Sequence, residues 1–259
     1  MPNVTVGTAR IPYRIVGQGP ATLVLVHGTG PGSGMWDHLL DRFTDRYTVL
    51  LPELSGSESA EDDGAELTVE TLAAQVNAVI EDAGRGPVDL VGFSLGAVVA
   101  TAAAARRPEQ VRRLVAAAGW VNADDEYLRN MMTVWLAIAD DEAAFGRYAT
   151  LTAFSRGFLN GIGREAVESN AGFMRPAPGT LRHIALNLSL DISALLPRVQ
   201  APTLVIGCAQ DATIPVENAR LLHAGIRGSE YAEFDTGHVV VFEQAEAFSR
   251  KVRDFLAAA

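Results

Sequence analysis

Val88-Asp89-Leu90-Val91-Gly92-Phe93-Ser94-Leu95-Gly96-Ala97-Val98-Val99 is an apolar run that breaks on two glycines and a serine and then continues as an alanine-rich segment up to Pro108. A buried strand, a sharp turn and a helix are the context that a G-x-S-x-G nucleophile elbow requires. Its glycines let the chain reverse and hold the serine hydroxyl clear of the backbone, at a helix N-terminus that favours developing negative charge. Upstream, Thr22-Leu23-Val24-Leu25-Val26 is a continuous aliphatic run ending in His27-Gly28, and residues 47–51 and 111–116 are similar. Such runs read as strands buried on both faces of a parallel sheet. Segments of helical period separate them: Leu72, Val76, Val79 and Ile80 recur at helical spacing, with Thr68 as N-cap and Gly84 as stop. Residues 4–16 alternate loosely around Gly7 and read as a two-stranded hairpin, closed by a turn at 17–20. The rhythm breaks near Trp120 and resumes near Ala194, with a strand at 202–207, a helix at 215–226, a strand at 230–234 and an amphipathic helix at 242–257. The prediction is an α/β fold: a doubly wound, mostly parallel eight-stranded sheet in two core segments, 1–119 and 191–259, separated by a helical insertion at 120–190.

The composition narrows the partners. With 48% hydrophobic and 20% charged residues in 259, the chain can build one sizeable core, which excludes global disorder. Thirty-one acidic against 21 basic residues give a net charge of -10, which repels phosphate backbones and anionic lipid, so neither nucleic acid nor membrane is an expected partner. The first residues lack a basic stretch followed by an apolar one, and no apolar run reaches membrane-spanning length, so a cytoplasmic location is expected. A single cysteine, Cys208, forms no internal disulfide and reads as a small apolar residue beside a strand. The acidic stretch at 58–66 lacks calcium-loop spacing and reads as a solvated loop. No metal or cofactor is expected.

A nucleophilic serine needs a base, and the base needs a group to hold its tautomer. His238, in Asp235-Thr236-Gly237-His238, follows the last strand and so shares the carboxyl edge of the sheet with Ser94. His38 and His223 fall in helical segments and His183 in the insertion, where surface or packing roles are expected; His27 reads as structural. For the acid, Asp211 follows the penultimate strand on the same edge, while Asp235 is only three residues from His238 and Asp124 and Asp125 follow the sixth strand as further rivals. The insertion holds eight of the 18 aromatic residues (Trp120, Tyr127, Trp135, Phe145, Tyr148, Phe154, Phe158 and Phe173), together with Met131, Met132 and Met174. A small helical unit has little interior to hide them, so Trp135, Phe154 and Phe158 are expected to line a substrate pocket against the core.

The order Ser94, Asp211, His238 on this strand and helix alternation resembles the α/β-hydrolase family over essentially the whole chain. His27-Gly28-Thr29-Gly30 is similar to that family's H-G-x-G oxyanion loop. The resemblance implies that the backbone N–H groups of Thr29 and Leu95 receive a substrate oxyanion, with Gly28 and Gly30 bordering the pocket, and that the insertion is the family's helical cap. The longer string from His27 through Pro31 to Trp36 is similar to the glycine-rich loop of meta-cleavage-product carbon-carbon hydrolases. Those enzymes carry a tryptophan after the histidine, where this chain has Val239, and their cap arginine has no assigned counterpart here. The C-terminal half is equally similar to the esterase and cofactor-free haloperoxidase branch. The implied function is a serine hydrolase that cleaves an ester, lactone or thioester of a moderately large apolar small molecule. A carbon-carbon hydrolase, a non-hydrolytic lyase or cyclase, and a small-molecule receptor are the alternatives. The expected partner is a small-molecule substrate, and a homodimer is compatible with the reading.

Overall fold

The aliphatic runs pair side by side. In the computed structural model, which describes residues 1–30 and 32–258, one eight-stranded sheet runs in the order β1-β2-β4-β3-β5-β6-β7-β8. Pro31 of the glycine-rich string and Ala259 lie outside the described residues. The strands are β1 (Asn3–Val6), β2 (Ala9–Val16), β3 (Ala21–Val26), β4 (Tyr47–Pro52), β5 (Val88–Phe93), β6 (Val111–Ala117), β7 (Thr203–Cys208) and β8 (Glu230–Phe234). The first two pairings, β1 with β2 and β2 with β4, are antiparallel. All later pairings are parallel. Every residue of β4, β5 and β7 is buried, which is why these strands are apolar throughout rather than alternating.

The two sheet faces carry separate cores. Val24 and Val26 of β3 face α1 (Val69–Ala83) and α2 (Leu95–Arg106), while Leu23 and Leu25 face the other side, with α10 (Ala245–Ala257) and the segment Trp36 to Phe43. Thr68 caps α1 through its hydroxyl, which accepts from the Thr71 N–H at 3.1 Å, and Gly84 ends it at φ 60°. The connection from β3 to β4 departs from the α-helix its position suggests: Ser33–Arg42 is a 3₁₀ helix. It buries Ser33, Trp36, Leu39 and Leu40.

Between β6 and β7 the chain leaves the sheet and forms α3 (Glu126–Ala137), α4 (Glu142–Ala153), α5 (Arg156–Ile162), α6 (Arg164–Ala171) and α7 (Pro178–Asn187). Asp125, Asp141 and Ser155 cap α3, α4 and α5 through their side chains. After β7 come α8 (Val216–Gly225) and, following β8, the short α9 (Val240–Glu243). No helix among the described residues is long and apolar enough to cross a membrane.

Candidate active site

β5 delivers Phe93 and α2 begins at Leu95, leaving Ser94 between them at φ 57° and ψ −126°. A non-glycine residue held there stores on the order of 1–3 kcal/mol of strain. The surroundings impose it. Ser94 N–H donates to the Ala117 carbonyl at 2.9 Å. A Cβ on Gly92 would stand 2.1 Å from the Gly96 carbonyl oxygen, and one on Gly96 would stand 2.3 Å from that of Val26. Both positions therefore exclude side chains, and the close approach of α2 to β3 fixes where the Ser94 hydroxyl emerges.

Three strand ends supply a hydrogen-bonded chain. Ser94 Oγ lies 2.8 Å from His238 Nε2, and His238 Nδ1 lies 2.7 Å from Asp211 Oδ2. The other oxygen, Asp211 Oδ1, accepts from the backbone N–H groups of Thr213 at 2.8 Å and Ile214 at 2.7 Å. A carboxylate held this way can only accept, so Nδ1 carries the imidazole proton and Nε2 is free to accept from the serine hydroxyl. The side chains of His238 and Asp211 are only 6% and 1% exposed, so little water competes for these bonds.

The rival carboxylates are engaged elsewhere. Asp235 accepts from Gln210, Asp124 pairs with Arg129, and Asp125 caps α3 while accepting from Asn218. The remaining histidines are likewise occupied. His38 Nε2 contacts the Val241 carbonyl and His223 bonds Ser229. His27 Nε2 accepts from Leu54 N–H, so its Nδ1–H donates to the Gly28 carbonyl. His183, at the buried face of α7, accepts from the Gly30 N–H at 3.4 Å and donates from Nε2 to the Ser55 carbonyl at 2.8 Å. Burial first, then repulsion from His27, pushes the His183 pKa down to about 4. Burial lowers that of His27 as well.

Above Ser94 and His238 lies a cavity of about 200 Å³. Gly28, Thr29 and Phe93 border it from the core, and Met132, Trp135, Phe154, Met174 and Asn187 from the insertion. Thr29 Oγ1 accepts from Asn187 Nδ2 at 3.1 Å, and Leu95 opens α2, where backbone N–H groups have no intrahelical partner. Two expected lining residues are not brought there. Phe158 stacks on Phe154 with ring centroids 5.3 Å apart, outside the lining, and Gly30, whose N–H turns to His183, is outside it as well.

Asn187, Thr213 and Phe242 border the cavity without having been singled out in the sequence. A signal for Asn187 exists: α7 buries Thr180, His183, Ile184, Leu186 and Asn187, so three of its five buried positions are polar. Among the described residues bordering the cavity there is no arginine or lysine. Arg129, Arg147, Arg175 and Arg182 of the insertion pair with Asp124, Glu168, Glu142 and Asp62. Among the described residues no three His, Cys, Asp or Glu side chains gather as metal ligands would.

A family model described as "Alpha/beta hydrolase family" matches residues 23–251. The chain belongs to that family. A pyrrolizixenacetamide deacetylase from Xenorhabdus hominickii is 40% identical over 261 residues, covering 99% of this chain and 98% of that protein. A 2-hydroxy-6-oxo-2,4-heptadienoate hydrolase from Pseudomonas putida is 28% identical over 260 residues, covering 91% of this chain and 89% of its own length. The crystal structure of the enol-lactonase from Burkholderia xenovorans superposes with a TM-score of 0.87 at 21% identity, covering 99% of this chain and 100% of that one, a likeness of fold. The protein is a hydrolase enzyme.

In this hydrolase the insertion is tied to the turn that carries His238. Glu243 Oε1 accepts from the backbone N–H of Ser155 at 2.6 Å and of Gly237 at 3.2 Å, while Oε2 accepts from the Ser155 hydroxyl at 2.7 Å. Val239 N–H donates to the Ala153 carbonyl at 3.2 Å. The fit is close: a Cβ on Gly237 would stand 2.4 Å from the Ser155 nitrogen.

Proposed function

We propose that this hydrolase cleaves the acyl bond of a compact, uncharged, largely apolar ester or amide through a covalent intermediate on Ser94. His238 takes the serine proton and returns it to the leaving group, and Asp211 orients and stabilises the imidazolium. The N–H groups of Thr29 and Leu95 receive the oxyanion; losing one such donor costs roughly 3 kcal/mol in the barrier. Residues 120–190 act as the cap that chooses the substrate. The observation that supports this most is the chain of contacts from Ser94 through His238 to Asp211 at 2.8 and 2.7 Å, joined to a strained serine.

The cavity supports the substrate class. At about 200 Å³ it is smaller than usual ligand pockets of roughly 300–1,000 Å³. A carbon-carbon ring-fission product carries a carboxylate and a dienolate, and no cationic side chain among the described lining residues awaits them. The 40% identical relative is named as a deacetylase of an acetamide, which adds amides to the esters that the sequence suggests.

A fluorophosphonate probe tests the mechanism. Wild-type protein is expected to be labelled on Ser94, and Ser94→Ala to lose both labelling and at least about a thousandfold in turnover of an aryl acetate. Comparable turnover by Ser94→Ala contradicts the covalent route.

A further inference from the structure

Asn187 borders this apolar cavity, and its carbonyl oxygen, Oδ1, has no hydrogen-bond partner although the residue is only 1% exposed. Buried amide oxygens are nearly always paired, so one left bare on a cavity wall points to a ligand. The orientation of the amide is set from its other end, because Met132 Sδ, which can only accept, lies 3.8 Å from Nδ2, which also bonds Thr29 Oγ1 at 3.1 Å. A carbonyl oxygen can only accept. Its missing partner must therefore be a donor. Across the same cavity the Trp135 indole N–H, a donor only, is also unpartnered.

We propose that Asn187 is a specificity-determining residue that accepts the N–H of a neutral secondary amide, making this site selective for amides over esters of the same shape; the proposal rests on the Ser94 mechanism above. Asn187 holds the side chain of Thr29, whose backbone N–H faces the oxyanion in that mechanism, which ties it to the loop that receives the reacting carbonyl. An ester places an oxygen where the amide has its N–H and leaves Oδ1 bare. Trp135 donates to a second carbonyl or ether oxygen on the substrate body. In the reaction, Ser94 Oγ bonds the carbonyl carbon as its proton passes to His238. The C–N bond then breaks as His238 returns that proton to nitrogen. The amine leaves, and water releases the acid and restores the serine.

The test compares kcat/KM for para-nitroacetanilide, its N-methyl analogue and para-nitrophenyl acetate in wild-type protein, Asn187→Leu and Asn187→Asp. Asn187→Leu is expected to lower the anilide-to-acetate ratio of kcat/KM by about tenfold or more, and Asn187→Asp, which keeps an acceptor, to retain most of that ratio. Wild-type protein is expected to prefer the secondary anilide to the N-methyl one by about tenfold or more. Parallel loss of anilide and acetate in Asn187→Leu overturns the proposal. So does equal cleavage of the two anilides by wild-type protein, or cleavage of the acetate with no anilide turnover. If Asn187→Leu fails to fold, the wild-type pair decides. Failure of the serine mechanism is distinguishable, because it shows as absent fluorophosphonate labelling whatever the amide-to-ester ratio.

Discussion

On the sheet side of the cavity a methyl group added at Gly96 runs into the Val26 and His27 carbonyls at 2.3 and 2.4 Å, whereas one added at Gly157 of α5 in the insertion meets nothing within 4 Å. The sheet side places Ser94, His238 and Asp211 by backbone geometry: a strained turn and two N–H groups holding a carboxylate. The helical side borders the same cavity with Met132, Trp135, Phe154 and Met174, side chains that can be exchanged without moving the sheet. One wall of the cavity is set by the main chain and the other by side chains, so one can change while the other is kept.

The largest effect should fall on the sheet side. Asp211→Asn is expected to lower kcat on an aryl ester by roughly 10³–10⁴, since the amide no longer enforces the required tautomer, while Asp235→Asn stays near wild type. The reverse ranking in steady-state kinetics would break the assignment of the acid. Next, Gly96→Ala should destabilise by about 3 kcal/mol through overpacking, whereas Gly157→Ala should stabilise by up to about 1 kcal/mol. Similar melting temperatures for the two variants would erase the contrast between the sides.

His183 sharpens the comparison, because it belongs to the insertion yet accepts from Gly30 in the core loop. Its pKa is about 4 in the folded protein, below the ordinary 6.5, so the unfolded chain takes up the proton first. Stability is then lost as pH falls from about 6.5 towards 4, by up to roughly 3 kcal/mol from this residue, with His27 acting in the same direction. Denaturant midpoints across that window should flatten in His183→Gln. An unchanged slope would mean that the ring is already charged in the folded state. The smallest effect is expected in the roof proper. Trp135→Ala should reorder substrates by about tenfold, roughly 1.4 kcal/mol, and Phe158→Ala should barely alter the ranking, as read from paired specificity constants.

What could be read in advance follows the same division. The buried strands and the Gly92-Phe93-Ser94-Leu95-Gly96 turn are local patterns, and strand ends fix which edge Asp211 and His238 occupy, so the mostly parallel eight-stranded sheet and the meeting of the three residues were legible, while the strand order was not. The insertion has no such regularity. Phe154 and Phe158 look equivalent as a helical pair four residues apart, but Phe154 ends α4 in an extended conformation at ψ 145°, which puts Phe158 on the next helix and outside the cavity lining. Gly30 belongs to the right loop, yet its N–H turns to His183. Asn187 was hidden because its importance is a missing partner, a property that appears only when the neighbours are in place.

The bridge through Glu243 makes the insertion and the histidine turn an interlock. Raising the junction of α4 and α5 away from the sheet must break the bonds from Ser155 to Glu243 and from Val239 to Ala153, which also brace the turn on either side of His238. A widening of the cavity at that end therefore loosens the turn that holds His238 against Ser94 and Asp211. Phe173, which also borders the cavity and is 58% exposed, takes no part in those bonds. The cavity wall is thus braced where it meets His238, and side chains such as Phe173 can shift without loosening that brace.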